Sequence, residues 1–127
     1  MTKTLIVGTR ALFNYDEVQD ALQLCEANDE IVLTGSVPVD DLAARYAYEN
    51  GLALRTEMLD TQLHGTNARY YTLSKLVEEV DRVVFFDSGN DSLLKSIFEL
   101  AESRQKETIY LTKGRRTQRV CYWDRND

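Results

Sequence analysis

Short apolar runs alternate with longer amphipathic stretches along the chain. Runs at residues 4–7, 31–33 and 83–86 are typical of strands that are buried on both faces of a sheet. The stretches between the runs repeat apolar residues at spacings of three and four, which indicates helices with one buried face. Because strand and helix alternate four times, the pattern predicts an α/β domain with a mainly parallel sheet flanked by helices.

The predicted elements account for most of the chain. Strands are expected over residues 4–7, 31–33, 52–58, 82–86 and 108–111, with a return strand at 119–123 that forms a C-terminal antiparallel hairpin. Helices are expected from Asn14 or Tyr15 to about 27–29, from about Asp41 to Asn50, from about Asn67 to Val80, and from Asp91 to about Ala101. We expect one domain over 1–127, with its core at about 4–112 and a hairpin or tail at 113–127.

Two helix boundaries depend on named residues. The buried stripe of the first helix is expected to include Cys25 as its last member. Asp40 is expected to cap the second helix, and Gly51 to end it by taking the left-handed conformation.

Composition narrows the classes of function. The 127 residues carry a net charge of -6, which argues against general nucleic-acid binding, since that affinity requires many Lys and Arg side chains. The basic run 113–119 is interpreted as a solvated turn, with an anion site as the alternative. The longest apolar runs are far too short to cross a membrane, and the chain opens with a strand pattern, so a cytoplasmic protein is expected. The two cysteines form no metal motif and are expected to be reduced and structural, and a single histidine excludes His-rich metal sites. No metal or cofactor is predicted.

Three loops are expected to meet at one edge of the sheet. They follow predicted strands at 8–10, 34–40 and 87–91. Ligands of open parallel sheets bind at the carboxyl ends of the strands, where backbone N–H groups and helix N-termini can hold an anion. The alternative is that the glycines of these loops only turn the chain. The candidate ligand-binding residues are Gly8, Thr9, Arg10, Thr34, Gly35, Ser36, Asp40, Arg69, Asp87, Ser88, Gly89 and Asn90.

Other polar residues carry weaker signals. Arg69, Tyr70 and Tyr71 open the third helix, and the tyrosines are expected either to stack on a base or to anchor the helix, with one of them packed. His64 is the single histidine and is interpreted as a solvated loop residue, and Glu99 is expected to face solvent.

Several segments between Leu5 and Leu111 match a family pattern. They are Val7-Gly8-Thr9-Arg10, Phe13-Asn14-Tyr15, Ile31-Val32-Leu33-Thr34-Gly35, Leu42-Ala43-Ala44-Arg45-Tyr46-Ala47, Glu78-Glu79-Val80-Asp81 and Phe98-Glu99-Leu100-Ala101. Together they resemble the YspA-type branch of the SLOG (Smf/DprA and LOG) superfamily. This resemblance implies a Rossmann-like domain that binds a nucleotide or a nucleotide-derived molecule; relatives include cytokinin-activating phosphoribohydrolases and DNA-processing DprA proteins. It also implies that Asp40 matches the motif aspartate of the family and that the protein forms a dimer, for which Tyr46, Tyr48 or Trp123 would supply the interface.

The chain departs from that family in its glycine motifs. Val37 and Pro38 replace the arginine and the later glycine of the family motif, and the Pro-Gly-Gly loop of the hydrolases is missing. Asp87 and Asp91 flank the turn before the last helix, where carboxylates repel a phosphate unless a metal or an arginine intervenes.

These departures favour a binder over an enzyme. The preferred hypothesis is non-catalytic binding or sensing of a nucleotide-like small molecule in phage–bacterium conflict, with no catalytic residue assigned. One alternative is a diverged N-glycosidase or phosphohydrolase of the phosphoribohydrolase type. The other is a protein-interaction module with a decayed ligand site, which would use a protein partner at Tyr122, Trp123 and the basic run.

Overall fold

Strands and helices alternate through the part of the chain that the structure describes. The computed structural model describes residues 2–9, 13–23, 25, 28–35, 37–59, 65–87, 91–112 and 118–121. In chain order the elements are β1 (Lys3–Gly8), α1 (Tyr15–Leu22), β2 (Glu30–Leu33), α2 (Pro38–Glu49), β3 (Ala53–Thr56), α3 (Ala68–Glu79), β4 (Arg82–Asp87), α4 (Ser92–Ser103), β5 (Glu107–Thr112) and β6 (Gln118–Cys121). A single 3-10 turn, Gly65–Asn67, leads into α3.

The six strands form one sheet in the order β3-β2-β1-β4-β5-β6. Strands β1 to β5 pair parallel to one another, and β6 pairs antiparallel with β5. The prediction of an α/β fold with a mainly parallel sheet and a C-terminal antiparallel return strand is therefore confirmed. The chain first builds outward from β1 through β2 to β3, then crosses over to β4 on the other side of β1. This is the doubly wound, Rossmann-like arrangement, whose winding direction reverses between β1 and β4.

Alternation along each strand divides the core between the two faces of the sheet. Ile6, Val84 and Phe86 pack with residues of α1 and α2, whereas the neighbouring strand residues Val7 and Phe85 pack with residues of α3 and α4. Full burial of one Leu or Phe side chain contributes about 1.5–3 kcal/mol. The predicted helix stripes are confirmed in this core; buried members are Val18, Ala21, Leu22, Leu73, Leu76, Val77, Leu94, Ile97 and Ala101.

Two predicted helix boundaries are wrong. Helix α1 ends at Leu22, and Cys25 lies beyond it, where its N–H donates to the carbonyl of Leu22, three residues earlier, at 2.9 Å. Helix α2 begins at Pro38 and not near Asp41. Proline fits the first helical position because its fixed φ suits a helix and no N–H is needed there. Asp40 is therefore a residue of the first turn and does not precede the helix.

Candidate functional site

The winding reversal places the ends of β1 and β4 side by side. Gly8 pairs with Phe86 in the parallel register, and the Thr9 N–H extends the ladder by donating to the Phe86 carbonyl at 3.1 Å. The next residue of β4 is Asp87, which is 1% exposed. In doubly wound sheets the crevice outside this point is where ligands bind. We call the carboxyl ends of β1 and β4 and the residues around them the switch-point edge.

Close packing explains why Gly8 is a glycine. A Cβ atom added there would lie well inside 3.0 Å of Val39 Cγ1 and 3.3 Å from Val37 Cγ2. Helix α2 thus packs directly on the end of β1 through Val39 of its first turn and its N-cap residue Val37. The glycine serves this helix–strand contact, and apolar side chains occupy the space beside it on the α2 side.

Gly35 has a different requirement. It has a φ of +71°, in the left-handed region, and its added Cβ would meet only Thr56 Cγ2, at 3.6 Å. Gly35 is exposed and the preceding Thr34 is buried. This glycine turns the chain out of β2 toward α2, so its conformation is explained by the turn alone.

Arg69 brings a positive charge to the end of β1. It is the second residue of α3, and its guanidinium Nη2 donates to the Gly8 carbonyl oxygen. The hydrogen bond joins residues 61 positions apart and fixes the start of α3 over the switch-point edge. Among the predicted site residues that the structure describes, Arg69 and Gly35 are the two that are not buried.

Carboxylates already occupy the positions at which helix N-termini would attract an anion. Asp40, 2% exposed, accepts a hydrogen bond from the Val37 N–H at 3.4 Å. Asp91 caps α4 by accepting from the Leu94 N–H at 3.1 Å. Each carboxylate offsets the partial positive charge of its own helix terminus.

The N-terminus of α1 is capped in the same way. Asn14 Oδ1 accepts from the Glu17 N–H, and Glu17 Oε1 accepts from the Asn14 N–H, both at 2.9 Å. At all three helices, side-chain oxygens of the same helix accept hydrogen bonds from backbone N–H groups at its start. This weakens the expectation that these helix ends bind a phosphate.

Asp87 is held by the neighbouring strand. Its Oδ2 accepts a hydrogen bond from the Tyr110 hydroxyl of β5, whose ring stacks on Phe85 with centroids 5.2 Å apart. Because Asp87 is buried and held by this hydrogen bond, it belongs to the buried part of the switch-point edge. Gly8, Thr9, Thr34 and Asp40 are buried with it.

Two aromatic side chains are exposed next to Arg69. Tyr70 is 43% exposed and Tyr71 50%, and their rings meet edge to face with centroids 5.8 Å apart. The expectation that one of them packs in the core is wrong. The buried face of α3 is formed by other residues, Ala68, Thr72, Leu73, Leu76 and Val77, so both tyrosines lie beside it.

Part of the predicted site lies outside the described residues; this part comprises Arg10, Ser36, Ser88, Gly89 and Asn90. The same is true of His64, Tyr122, Trp123 and residues 113–117 of the basic run. Of the residues suggested for a dimer interface, Tyr46 is buried, which excludes it, whereas Tyr48 is exposed. Glu99 is exposed, as predicted.

Sequence analysis missed a polar cluster at the opposite, amino edge of the sheet. Arg82 Nε donates to Glu107 Oε1 at 3.1 Å, and its Nη1 lies 3.9 Å from Asp29 Oδ2 and 3.7 Å from Cys25 Sγ. Burial raises the pKa of the Cys25 thiol, and Arg82 opposes that shift only in part. The cluster ties the starts of three strands together, and its members are too far apart in sequence for any local motif to reveal it.

No protein-family model matches the chain, and no curated protein matches it significantly. Within the described ranges, no helix is long and apolar enough to cross a membrane. The same residues contain no group of three or more His, Cys, Asp or Glu side chains that could hold a metal ion.

Proposed function

We propose that the protein binds a nucleotide-derived small molecule at the switch-point edge without transforming it chemically. The observation that carries this proposal is the reversal of the winding between β1 and β4, with the Arg69 guanidinium hydrogen-bonded to the last residue of β1. Open α/β sheets bind ligands at this point, and arginine is well suited to phosphate recognition.

The charges around the edge narrow the class of ligand. Asp40, Asp87 and Asp91 surround the ends of the strands, while Arg69 supplies a positive charge. A triphosphate would bring several negative charges toward these carboxylates, which costs free energy in a partly buried site. A nucleoside or nucleoside monophosphate places at most one phosphate near Arg69.

Aromatic surface supports a base-containing ligand. Tyr70 and Tyr71 follow Arg69 directly and are about half exposed. Stacking of a base on an aromatic side chain contributes about 1–3 kcal/mol and tolerates different bases. The proposal therefore assigns phosphate recognition to Arg69 and base stacking to the tyrosine pair. Through the SLOG resemblance the proposal also includes a role in phage–bacterium conflict. It includes a cytoplasmic location because the longest apolar runs of the sequence are too short to cross a membrane.

Ligand-induced thermal stabilisation tests the proposal. Adenosine, AMP and ATP, with the corresponding guanine, cytosine and uracil compounds, would be added to the wild-type protein, and melting temperatures measured. We expect a monophosphate to raise the melting temperature more than the matching triphosphate. Arg69→Ala should abolish the monophosphate shift, and Tyr70→Ala should reduce it.

Matched controls separate ligand loss from damage to the fold. Arg104→Ala removes an exposed arginine at the end of α4 on the amino edge, and should keep the full shift. Each shift is measured against the ligand-free variant, so lower stability alone does not change it. An unchanged shift in Arg69→Ala would contradict the site. Release of free base or phosphate, detected by chromatography of the incubated ligand, would contradict a non-catalytic role and favour the hydrolase alternative.

A further inference from the structure

The edge strand β3 differs from the other strands whose burial the structure defines. It buries none of its four side chains, whereas β1, β2 and β4 bury all but their first residue. At one end of the sheet, β3 pairs with β2 alone among the strands of the described residues. Leu54 is 46% exposed and Met58, just beyond the strand, 77%. An open edge with exposed apolar side chains can pair with a strand from another chain.

The hydrogen bonds that β3 makes to β2 show which of its backbone N–H and C=O groups point the other way, toward the edge of the sheet. Ala53 N–H donates to the Asp29 carbonyl at 3.2 Å, and Glu57 N–H donates to the Leu33 carbonyl at 2.8 Å. In a parallel pair, the backbone groups of alternate residues point to opposite sides of the strand. Leu54, Thr56 and Met58 therefore direct their N–H and C=O groups away from β2.

Side chains on the two faces of β3 have different chemistry. Leu54 is in register with Ile31, which belongs to the core on the α1 and α2 side. Arg55 lies on the opposite face, where its Nη2 is 3.1 Å from Glu57 Oε1 and 3.4 Å from Glu79 Oε1 of α3. The edge thus has an apolar side and a charged side.

We propose that two copies of this chain form a dimer by pairing their β3 strands antiparallel about a two-fold axis at Thr56. In this register Thr56 faces Thr56 of the partner subunit, and Leu54 faces Met58 of the partner subunit. Each such pair joins two outward-directed residues, so the backbone hydrogen bonds can form. On the other face, Arg55 lies opposite Glu57 of the partner subunit.

Charge complementarity selects this register over its neighbours. An axis at Arg55 would place Arg55 opposite its own copy, and an axis at Glu57 would place two glutamates opposite each other. Like charges directly opposite in antiparallel strands destabilise the pairing, and opposite charges stabilise it. Because the paired segment is short, we expect a dissociation constant on the order of micromolar.

Charge reversal tests the dimer and its register. Sedimentation velocity across the micromolar concentration range should show the wild-type protein changing from one copy to two as concentration rises. Arg55→Glu and Glu57→Arg each place like charges opposite one another twice, and each should raise the dissociation constant about tenfold or more. The double variant Arg55→Glu/Glu57→Arg restores opposite charges and should restore dimerisation.

Arg45→Glu is the matched control, because Arg45 is an exposed arginine of α2 paired within its own helix to Glu49. It should leave the dissociation constant unchanged, and circular dichroism verifies the fold of every variant. Cross-linking gives a second measurement that does not depend on the charge variants. Thr56→Cys should form a disulfide-linked dimer on mild oxidation, since directly opposed residues lie about 5.5 Å apart between Cα atoms; Lys75→Cys on α3 should not.

Three results would overturn the proposal. They are a wild-type protein that stays a single copy throughout the concentration range, a dimer that both single charge variants leave intact, and a folded double variant that remains dissociated. If the charge variants fail to fold, absence of the Thr56→Cys disulfide overturns it. An edge that instead receives a strand from a different protein would give the first of these results.

Discussion

Substitution of Gly8 by alanine tests whether the packing of α2 on β1 determines the geometry of the switch-point edge. The new methyl group would lie well inside 3.0 Å of Val39 Cγ1 and 3.3 Å from Val37 Cγ2. Val39 is fully buried, so relief requires a rotamer change or a shift of α2 away from β1. Inserting a methyl group into a packed core costs about 1–3 kcal/mol, and replacing glycine in a strand returns about 0.5–1 kcal/mol.

The expected net loss for Gly8→Ala is therefore about 1–2 kcal/mol of unfolding free energy. Urea denaturation followed by circular dichroism measures it, with a midpoint lowered by about 1 M at the slope typical of a small domain.

A double-mutant cycle assigns the loss to the contact with Val39. Val39→Ala removes the clashing Cγ1, after which the nearest atom of that side chain is Cβ, at 3.6 Å. The double variant should be about 1 kcal/mol more stable than the sum of the single effects predicts, because contacting residues couple. Gly51→Ala is the control, since an added Cβ there meets nothing within 4 Å and strains only a backbone with a φ of +68°; it should not couple to Val39→Ala. Wild-type stability in Gly8→Ala, or strict additivity with Val39→Ala, would refute the packing argument.

Two further predictions concern α4 and Cys25. Asp91→Ala removes the carboxylate that accepts a hydrogen bond from the Leu94 N–H, and it should lower the unfolding free energy by about 1 kcal/mol. Asp91→Asn should retain most of that stability, because asparagine also caps helices well. Equal losses in the two variants, measured by urea denaturation, would contradict the cap. Because burial raises the pKa of the Cys25 thiol above its ordinary value of 9.0, the folded state favours the protonated thiol. The contribution of the protonated thiol to folding stability is fully present below pH 9.0 and is lost as the pH rises through the folded-state pKa of Cys25. Stability measured between pH 7 and 10.5 should therefore decline more in the wild-type protein than in Cys25→Ala, and parallel profiles would refute the assignment.

The two proposals concern different parts of the molecule and fail independently. The ligand would lie at the ends of β1 and β4, whereas the dimer would form along β3, two strands away from β1. Arg69→Ala should leave the dimer intact, and Arg55→Glu should leave the monophosphate shift intact.

Local chemistry was sufficient to predict the elements and their order. Apolar runs identified the buried strands, and the stripe ending at Val77 and Val80 identified the buried face of α3. These features depend on residues close together in sequence, since periodicity within one element determines which of its faces can be buried. Right-handed crossovers then made a shared carboxyl edge the expected position of the loops.

Helix starts were less predictable, because several residues competed for the same role. Asp40 and Asp41 both resembled caps, yet Pro38 takes the first position of α2 and leaves Asp40 buried within the turn. Proline is itself favoured at the first helical position, and the structure adds a contact that local preference does not contain, between Val39 and Gly8 at the end of β1.

By itself, then, the sequence determined an alternating α/β chain, its mainly parallel sheet and the edge at which its loops meet. Tertiary structure alone decided that Gly8 is a packing position, that Arg69 reaches the end of β1, and that Arg82 joins Asp29 and Glu107 at the amino edge. The physical reason is range: periodicity and capping act within a few residues, whereas close packing and side-chain hydrogen bonds join residues that become neighbours only after the sheet has formed.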